Sequence, residues 1–151
     1  MRVYDAKLVY EPTVFQVGAK SLNSPELVYA YMKDVLEVHP MQELFYVILP
    51  NQKNRPLGRV AVTCGTVSST LVHAREVFRP AILAGASGII CVHNHPSGDS
   101  TPSSADICTT RKLREAAGII DIPLLDHVTI SDRSGDAANV GFYSFRSAGF
   151  L

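Results

Sequence analysis

Residues 89–106, IICVHNHPSGDSTPSSAD, decide how this chain folds and what chemistry it can carry. The apolar run from Ile89 to Val92 has the length and composition of a buried strand. It ends in His93-Asn94-His95, and side chains at positions i and i+2 of a strand point to the same side. If the strand continues past Val92, His93 and His95 therefore converge on one point.

A carboxylate follows the two histidines at the start of a predicted helix. The loop 96–102 is long enough to turn the chain, and Ser103 then begins a helix predicted over 103–117 and stopped by Gly118. Asp106 falls in its first turn. Two imidazoles and one carboxylate form a catalytic type of zinc site that leaves a position open for water. Ser103-x-x-Asp106 is also a helix-capping arrangement, so both roles are open to Asp106.

The rest of the chain alternates between strand and helix patterns. Ser24-Pro25 opens one helix, and a second is predicted over 75–86 with Val77, Phe78, Ala81 and Ile82 inward and Pro80 inside it. Strands are predicted over 44–49, 59–64, 124–130 and 141–145, with shorter β-type runs between 3 and 17 and at 67–72. This order favours an α/β or α+β fold with a mixed sheet flanked by helices. We expect an N-terminal strand segment over 1–20 and one domain over 21–151.

Composition narrows the class of protein. With 151 residues and 46% hydrophobic content, the chain can bury the core of one domain. Its 14 basic and 14 acidic residues cancel, so a broad nucleic-acid-binding charge is missing, and Arg111, Lys112 and Arg114 form either a local basic patch or a solvated helix face. Three widely spaced cysteines indicate a reducing compartment. No apolar run approaches about 20 residues, so we expect a cytoplasmic protein without a membrane span or signal peptide.

The histidine motif resembles that of a known class of enzymes. His93-x-His95, then seven residues, Ser103, two residues and Asp106 match the signature of the JAMM (MPN+) metallo-hydrolases. More narrowly, several short sequence motifs resemble those of the bacterial RadC family: HNHPSGD at 93–99, LLDH at 124–127, Gly65-Thr66 and the segment 73–76. The resemblance covers roughly residues 20 to 150 in consistent order.

The resemblance implies a cytidine-deaminase-like JAB/MPN domain with a mixed sheet, binding one zinc ion per chain through His93, His95 and Asp106. It further implies a glutamate, ahead of the first core strand, that acts as general base on water. By position this residue is Glu43. The alternative is Glu76, which belongs to a different motif and is otherwise explained as a first-turn helix acid.

Several neighbouring residues have expected supporting roles. Ser103 would donate a hydrogen bond to the oxyanion of a tetrahedral intermediate. Asn94, Ser97 and Gly98 would shape the loop, with Gly98 at a positive φ. Asp126 and His127 would either orient a metal ligand or serve as buried structural polar residues.

The resemblance implies a zinc-dependent metallopeptidase or isopeptidase that acts on a peptide or protein substrate. The family name also associates it with DNA repair. The alternatives are a DNA-associated nuclease and a non-catalytic metal-binding or interaction module. The sequence departs from the family at Ser100, where proline is usual. Long RadC proteins carry an additional N-terminal region that resembles a DNA-binding helix-hairpin-helix. We expect that this chain has no room for such a region, which weakens the expectation of a role on DNA. Exposed sheet edges are compatible with a homodimer.

Overall fold

A computed structural model describes residues 20–38, 41–64 and 72–151, with side chains described except at 35–38, 63 and 64. In chain order the elements are α1 (Pro25–Val38), β1 (Leu44–Pro50), β2 (Pro56–Cys64), α2 (Ala74–Ala84), β3 (Ile89–Asn94), α3 (Ser104–Ile120), β4 (Leu124–Ile130) and β5 (Phe142–Ser144). This confirms the predicted mixed α/β class. The runs predicted between 3 and 17, the segment 1–19 and nearly all of 67–72 lie outside the described residues.

The five strands form one mixed sheet with the order β2-β1-β3-β4-β5. β3 and β4 are parallel and joined by α3, while the other neighbouring pairs are antiparallel. β3 therefore occupies the centre, and all six of its residues are buried. This central strand ends at His93 and Asn94, so the two-histidine motif lies at the carboxyl end of a fully buried strand.

Helices cover both faces of the sheet. On the α1 face, residues of α1 such as Val28 and Met32 pack against Ile48, Ile90 and Val128. On the α3 face, α2 and α3 cover a second cluster that includes Phe45, Val77, Cys91 and Leu113. Alternation along β3 divides its side chains between the two faces. His93, two residues after Cys91, belongs to the α3 face.

The ends of the helices depend on packing as well as on local sequence. Gly118 was predicted to stop the helix that begins at Ser103. Instead, α3 continues to Ile120, and Asp121 ends it with a left-handed φ of 61°. A glycine inside a helix costs about 1 kcal/mol relative to alanine. The burial of Leu113 and Ala117 outweighs that cost.

The buried side of α2 is narrower than predicted. Val77, Phe78 and Ala81 are buried as expected, and Pro80 lies inside the helix. Ile82 was predicted to face inward, but 58% of it is exposed. The prediction was wrong because Ile82 lies about 100° around the helix from Ala81, beyond the edge of the stripe that contacts the sheet.

Candidate metal centre

His93 and His95 meet because the central strand continues past its apolar run. β3 includes His93 and Asn94, and the His95 amide then donates to the carbonyl of Ile130 at 2.8 Å, so the chain stays beside β4. The two rings therefore project to the same side. Their Nε2 atoms are 3.0 Å apart, and the ring centroids are separated by 4.8 Å.

Asp106 is both part of the capping box of α3, with Ser103 as the N-cap, and the third member of the cluster. Its amide donates to Ser103 Oγ at 3.2 Å, while its Oδ2 accepts from the amide and the hydroxyl of Ser103. Its Oδ1 lies 3.2 Å from His93 Nε2, and its Oδ2 lies 3.5 Å from His95 Nε2. The two roles left open by the sequence coexist, because capping orients the carboxylate towards the histidines.

The donor set fits a metal ion. Ligands about 2.1 Å from a tetrahedral zinc ion lie about 3.4 Å from one another. The Nε2 and carboxylate atoms of His93, His95 and Asp106 are separated by 3.0 to 3.5 Å. Among the described residues this is the one group of three or more acidic, histidine or cysteine side chains with suitable geometry. Three protein ligands leave a fourth position for water or substrate, as in catalytic sites.

The charges of the cluster favour a cation. Burial opposes ionisation of Asp106, but its contacts with His93, His95 and Ser103 outweigh that cost and hold the pKa of Asp106 well below its usual range. Burial also opposes the charged form of His95. The Asp106 carboxylate, the Asp99 carbonyl and the charge of Glu43 nevertheless raise the pKa of His95. An ionised carboxylate therefore faces two imidazoles, which suits a divalent metal ion.

The loop between His95 and Ser103 is held by a contact of His95 and by close packing at Gly98. His95 Nδ1 lies 2.7 Å from the carbonyl of Asp99, a contact that directs Nε2 towards the cluster. Gly98 has the predicted positive φ, 89°, and it is buried against Gly135, so a side chain at Gly98 would meet that backbone at 3.2 Å. Ser97 Oγ accepts from the Asp99 amide at 3.4 Å, a weak contact at the exposed tip of the turn.

Glu43 is held near the cluster through its neighbours. Buried Asn94 accepts from the amide of Leu44 at 2.8 Å and donates to the carbonyl of Gln42 at 2.7 Å. The backbone on both sides of Glu43 is thus fixed to the end of β3. Phe45 pairs with His93 across the two strands, so Glu43 precedes β1 at the end where the histidines lie. Asn94 therefore fixes the segment before β1 rather than the loop after β3.

The chain matches the family model of the RadC-like JAB domain over residues 22–150. It belongs to that family. UPF0758 proteins are among its relatives: the chain is 42% identical to one from Thermotoga maritima, over 87% of this chain and 55% of that protein. It is 44% identical to one from Geobacillus thermodenitrificans, over 73% and 46%, and 40% identical to one from Geobacter sulfurreducens, over 89% and 56%. The chain spans about half the length of these curated relatives.

In this RadC-like domain, the Asp126 side chain is hydrogen-bonded away from the candidate ligands. Its Oδ2 accepts from Ser144 Oγ at 2.7 Å, and its Oδ1 accepts from the amides of Arg146 and His127. It lines a cavity on the α1 face together with Leu22 and Ile90. Of the two roles predicted for Asp126, these contacts favour that of a buried structural polar residue, because a register irregularity between Ile89 and Ile90 turns its side chain to the face opposite the cluster.

His127 lies on the α3 face directly behind His93. Its Nε2 is 2.8 Å from His93 Nδ1, and its Nδ1 is 2.6 Å from Thr110 Oγ1. Burial, followed by the neighbouring His93, lowers the pKa of His127 well below its usual value. A buried neutral imidazole in contact with His93 is the arrangement expected of a residue that orients a metal ligand.

The remaining predicted residues lie in less direct positions. Glu76, the alternative base, is in the first turn of α2 and pairs with Arg79 at 2.8 Å and Arg75 at 3.4 Å, which supports its interpretation as a helix acid. His73, the first residue of the RadC-like segment 73–76, is exposed, lies directly before α2 and makes no side-chain cap. Ser103 donates its hydroxyl proton to Asp106 Oδ2, so donation to an oxyanion stays a prediction that requires the hydroxyl to turn.

Two contributors were missed by sequence reasoning. Thr110 lies one helical turn after Asp106, and this i, i+4 spacing was a signal that could have found it. Asp136 binds the loop 96–102 that follows the two histidines, called here the histidine loop. Its Oδ1 accepts from the amide and hydroxyl of Ser100, and its Oδ2 accepts from two amides of its own loop. Ser100 supplies both donors. No local pattern connects positions 36 residues apart.

Within residues 20–38, 41–64 and 72–151, no helix combines the length and apolar character needed to cross a bilayer.

Proposed function

We propose that this RadC-like JAB domain is a zinc-dependent hydrolase that cleaves amide bonds in a peptide or protein substrate. The observation that carries the proposal is the convergence of His93, His95 and Asp106, whose donor atoms lie at the spacing of a tetrahedral site. Two imidazoles and one carboxylate are a donor set used by catalytic zinc sites. When bound, zinc lowers the pKa of water to about 7 and polarises a carbonyl oxygen.

The residues around the cluster supply the remaining functions of an amide hydrolase. We assign Glu43 as the general base that takes a proton from the attacking water and passes it to the leaving amine, because amines leave readily only after protonation. Two observations support this assignment. Asn94 hydrogen-bonds to the backbone on both sides of Glu43, and the charge of Glu43 contributes to raising the pKa of His95. Glu76 is the weaker candidate, since Arg75 and Arg79 pair with it.

An amide substrate suits the electrostatics better than a phosphodiester does. Nucleic-acid-cleaving enzymes need cationic contacts to phosphates, and many use two metal ions. The chain has zero net charge, and its described residues contain one candidate metal cluster. In the basic stretch of α3, Arg114 donates to the carbonyl of Phe150.

The test uses four proteins: wild type, Glu43→Gln, Glu76→Gln and His95→Ala. Each is loaded with zinc, its metal content is measured by mass spectrometry, and it is incubated with a complex peptide mixture and with single- and double-stranded DNA. We expect wild type and Glu76→Gln to generate new peptide termini that disappear with a chelator. Glu43→Gln should keep zinc and lose at least about 100-fold in rate, whereas His95→Ala should lose both zinc and activity.

Other outcomes separate the alternatives. Full activity of Glu43→Gln would overturn the base assignment while leaving the metal site intact. Chelator-sensitive cleavage of DNA alone would favour a nuclease. Stoichiometric zinc without turnover on either substrate class would favour a non-catalytic module.

A further inference from the structure

We propose that His127 and Thr110 form a buried hydrogen-bonded relay that fixes the tautomer of His93, leaving its Nε2 lone pair directed at the metal position. The proposal deepens the proposed zinc site and rests on it. Both are positioning residues, since they contact His93 and the backbone of Asp106 and not the metal position itself.

Three contacts in series build the relay. His93 Nδ1 lies 2.8 Å from His127 Nε2, and His127 Nδ1 lies 2.6 Å from Thr110 Oγ1. The Thr110 hydroxyl lies 2.7 Å from the carbonyl oxygen of Asp106. His93, His127 and Thr110 are each at most 1% exposed, so water does not compete for these bonds. The relay therefore starts on one proposed ligand and ends on the backbone of another.

The carbonyl at the end of the relay sets the direction of every bond. A carbonyl only accepts, so the single hydroxyl proton of Thr110 is donated to Asp106, and the Thr110 oxygen is left to accept from His127 Nδ1–H. A neutral His127 then presents a lone pair at Nε2, which accepts from His93 Nδ1–H. The neutral His93 ring consequently has no proton on Nε2, the atom that faces Asp106 and His95.

The opposite direction would block the site. If Thr110 donated to His127 Nδ1, His127 would carry its proton on Nε2 and donate it to His93 Nδ1. His93 would then be protonated on Nε2, which cannot bind a metal ion in that state. The two directions differ by the bond from Thr110 to the Asp106 carbonyl, so this hydroxyl decides which nitrogen of His93 is free.

Aromatic packing holds the two rings in place. Phe145 stacks on His127 with centroids 4.7 Å apart and planes 9° apart. Phe45 stacks on His93 at 5.9 Å and 8° and also contacts His127. Rings held in this way cannot rotate away to find other partners, so the hydrogen bonds act on fixed geometry.

Thr110→Val tests the relay, because valine keeps the shape of threonine and removes the hydroxyl. Without an acceptor, His127 Nδ1–H is buried and unsatisfied, which favours the opposite tautomer. We expect zinc, titrated against a competing chelator, to bind Thr110→Val about 10- to 100-fold more weakly than wild type, the range for loss of an outer-shell partner. Thr110→Ser restores the hydroxyl and should bind zinc as wild type does.

A matched control lies next to the site. Thr129 is also fully buried and pairs with His93 across β3 and β4, but its Oγ1 has no hydrogen-bond partner among the described residues. Thr129→Val therefore makes the same chemical change beside the same histidine outside the relay, and its zinc affinity should equal that of wild type. Urea unfolding of each variant verifies that it is folded.

Nitrogen-15 NMR of the imidazoles in the metal-free protein provides an independent readout. We expect His93 to be protonated on Nδ1 in wild type and to shift towards Nε2 in Thr110→Val. The relay would be overturned by unchanged affinity and tautomer in Thr110→Val, by equal weakening in Thr129→Val, or by a Thr110→Ser variant that binds as poorly as Thr110→Val. If wild type binds no zinc, the proposed function fails, while the tautomer measurement still tests the relay.

Discussion

Asp126 and His127 are neighbours in sequence, yet β4 sends their side chains to opposite faces of the sheet. On the α1 face, the Asp126 carboxylate is surrounded by donors from Ser144, Arg146 and the His127 backbone. On the α3 face, His127 joins a series of contacts that ends at His93 Nε2, where His95 and Asp106 converge. A buried polar group satisfied on all sides holds the fold together, whereas one that leaves a donor atom facing others is free to bind a ligand.

The largest effect should come from removing the carboxylate of the α3 face. Asp106→Ala deletes the proposed third ligand, so zinc content should fall from about one ion per chain to nearly none, because two imidazoles alone bind weakly. Mass spectrometry of the purified protein measures this. Asp126→Asn, the carboxylate change on the other face, is the control and should retain zinc. Stoichiometric zinc in Asp106→Ala would remove this residue from the site.

Removing the carboxylate of the α1 face should lower the stability of the domain and leave zinc binding unchanged. Asp126→Ala leaves the Ser144 hydroxyl and two amides without their acceptor, and we expect a loss of about 3 kcal/mol in the free energy of unfolding. Urea denaturation measures the loss. Zinc affinity of the folded variant should be unchanged, since Asp126 contacts no proposed ligand. A variant that is stable yet binds zinc poorly would mean that the two faces are coupled.

A smaller effect is expected at Asp136, which connects the histidine loop to the loop after β4. Asp136→Asn places an amide against amide donors, and we expect a loss of about 2 kcal/mol at neutral pH. Hydrogen bonds, the largest from Ser100, lower the pKa of Asp136 to about 2. Its stabilisation is therefore complete above the unfolded value of about 4 and is lost as the pH falls to about 2. Unfolding measured from pH 7 to 2 should show wild type and Asp136→Asn converging. A constant difference would contradict this role.

The smallest effect should lie at the end of α3, away from both polar clusters. At Gly118 no atom lies within 4 Å of the position that a Cβ would take, so Gly118→Ala should stabilise the domain by about 0.5 to 1 kcal/mol. Thermal unfolding measures the gain. Gly98→Ala is the opposing control: at a φ of 89° and against Gly135, the same change should destabilise the domain. Destabilisation by Gly118→Ala would show that α3 needs its glycine.

Local sequence patterns are sufficient to predict the helices and strands around the candidate centre and the three residues that compose it. An apolar run followed by His-x-His, and a Ser-x-x-Asp start of a helix, are local patterns, and local geometry is enough to turn two rings one way and to cap a helix with a carboxylate. That Asp106 would reach both histidines could be expected from those patterns together. The positive φ of Gly98 followed from its place in a tight turn.

The choice of the polar residues that support that centre depends on tertiary contacts. Strict alternation from Leu124 would put Asp126 on the α3 face and His127 on the α1 face, but the register irregularity opposite Ile89 and Ile90 exchanges them. The end of α3, the exposure of Ile82 and the partnership of Ser100 with Asp136 likewise depend on contacts between distant segments. Periodicity records how a side chain relates to its neighbours in the chain, whereas these outcomes depend on how strands are paired and which helix covers them.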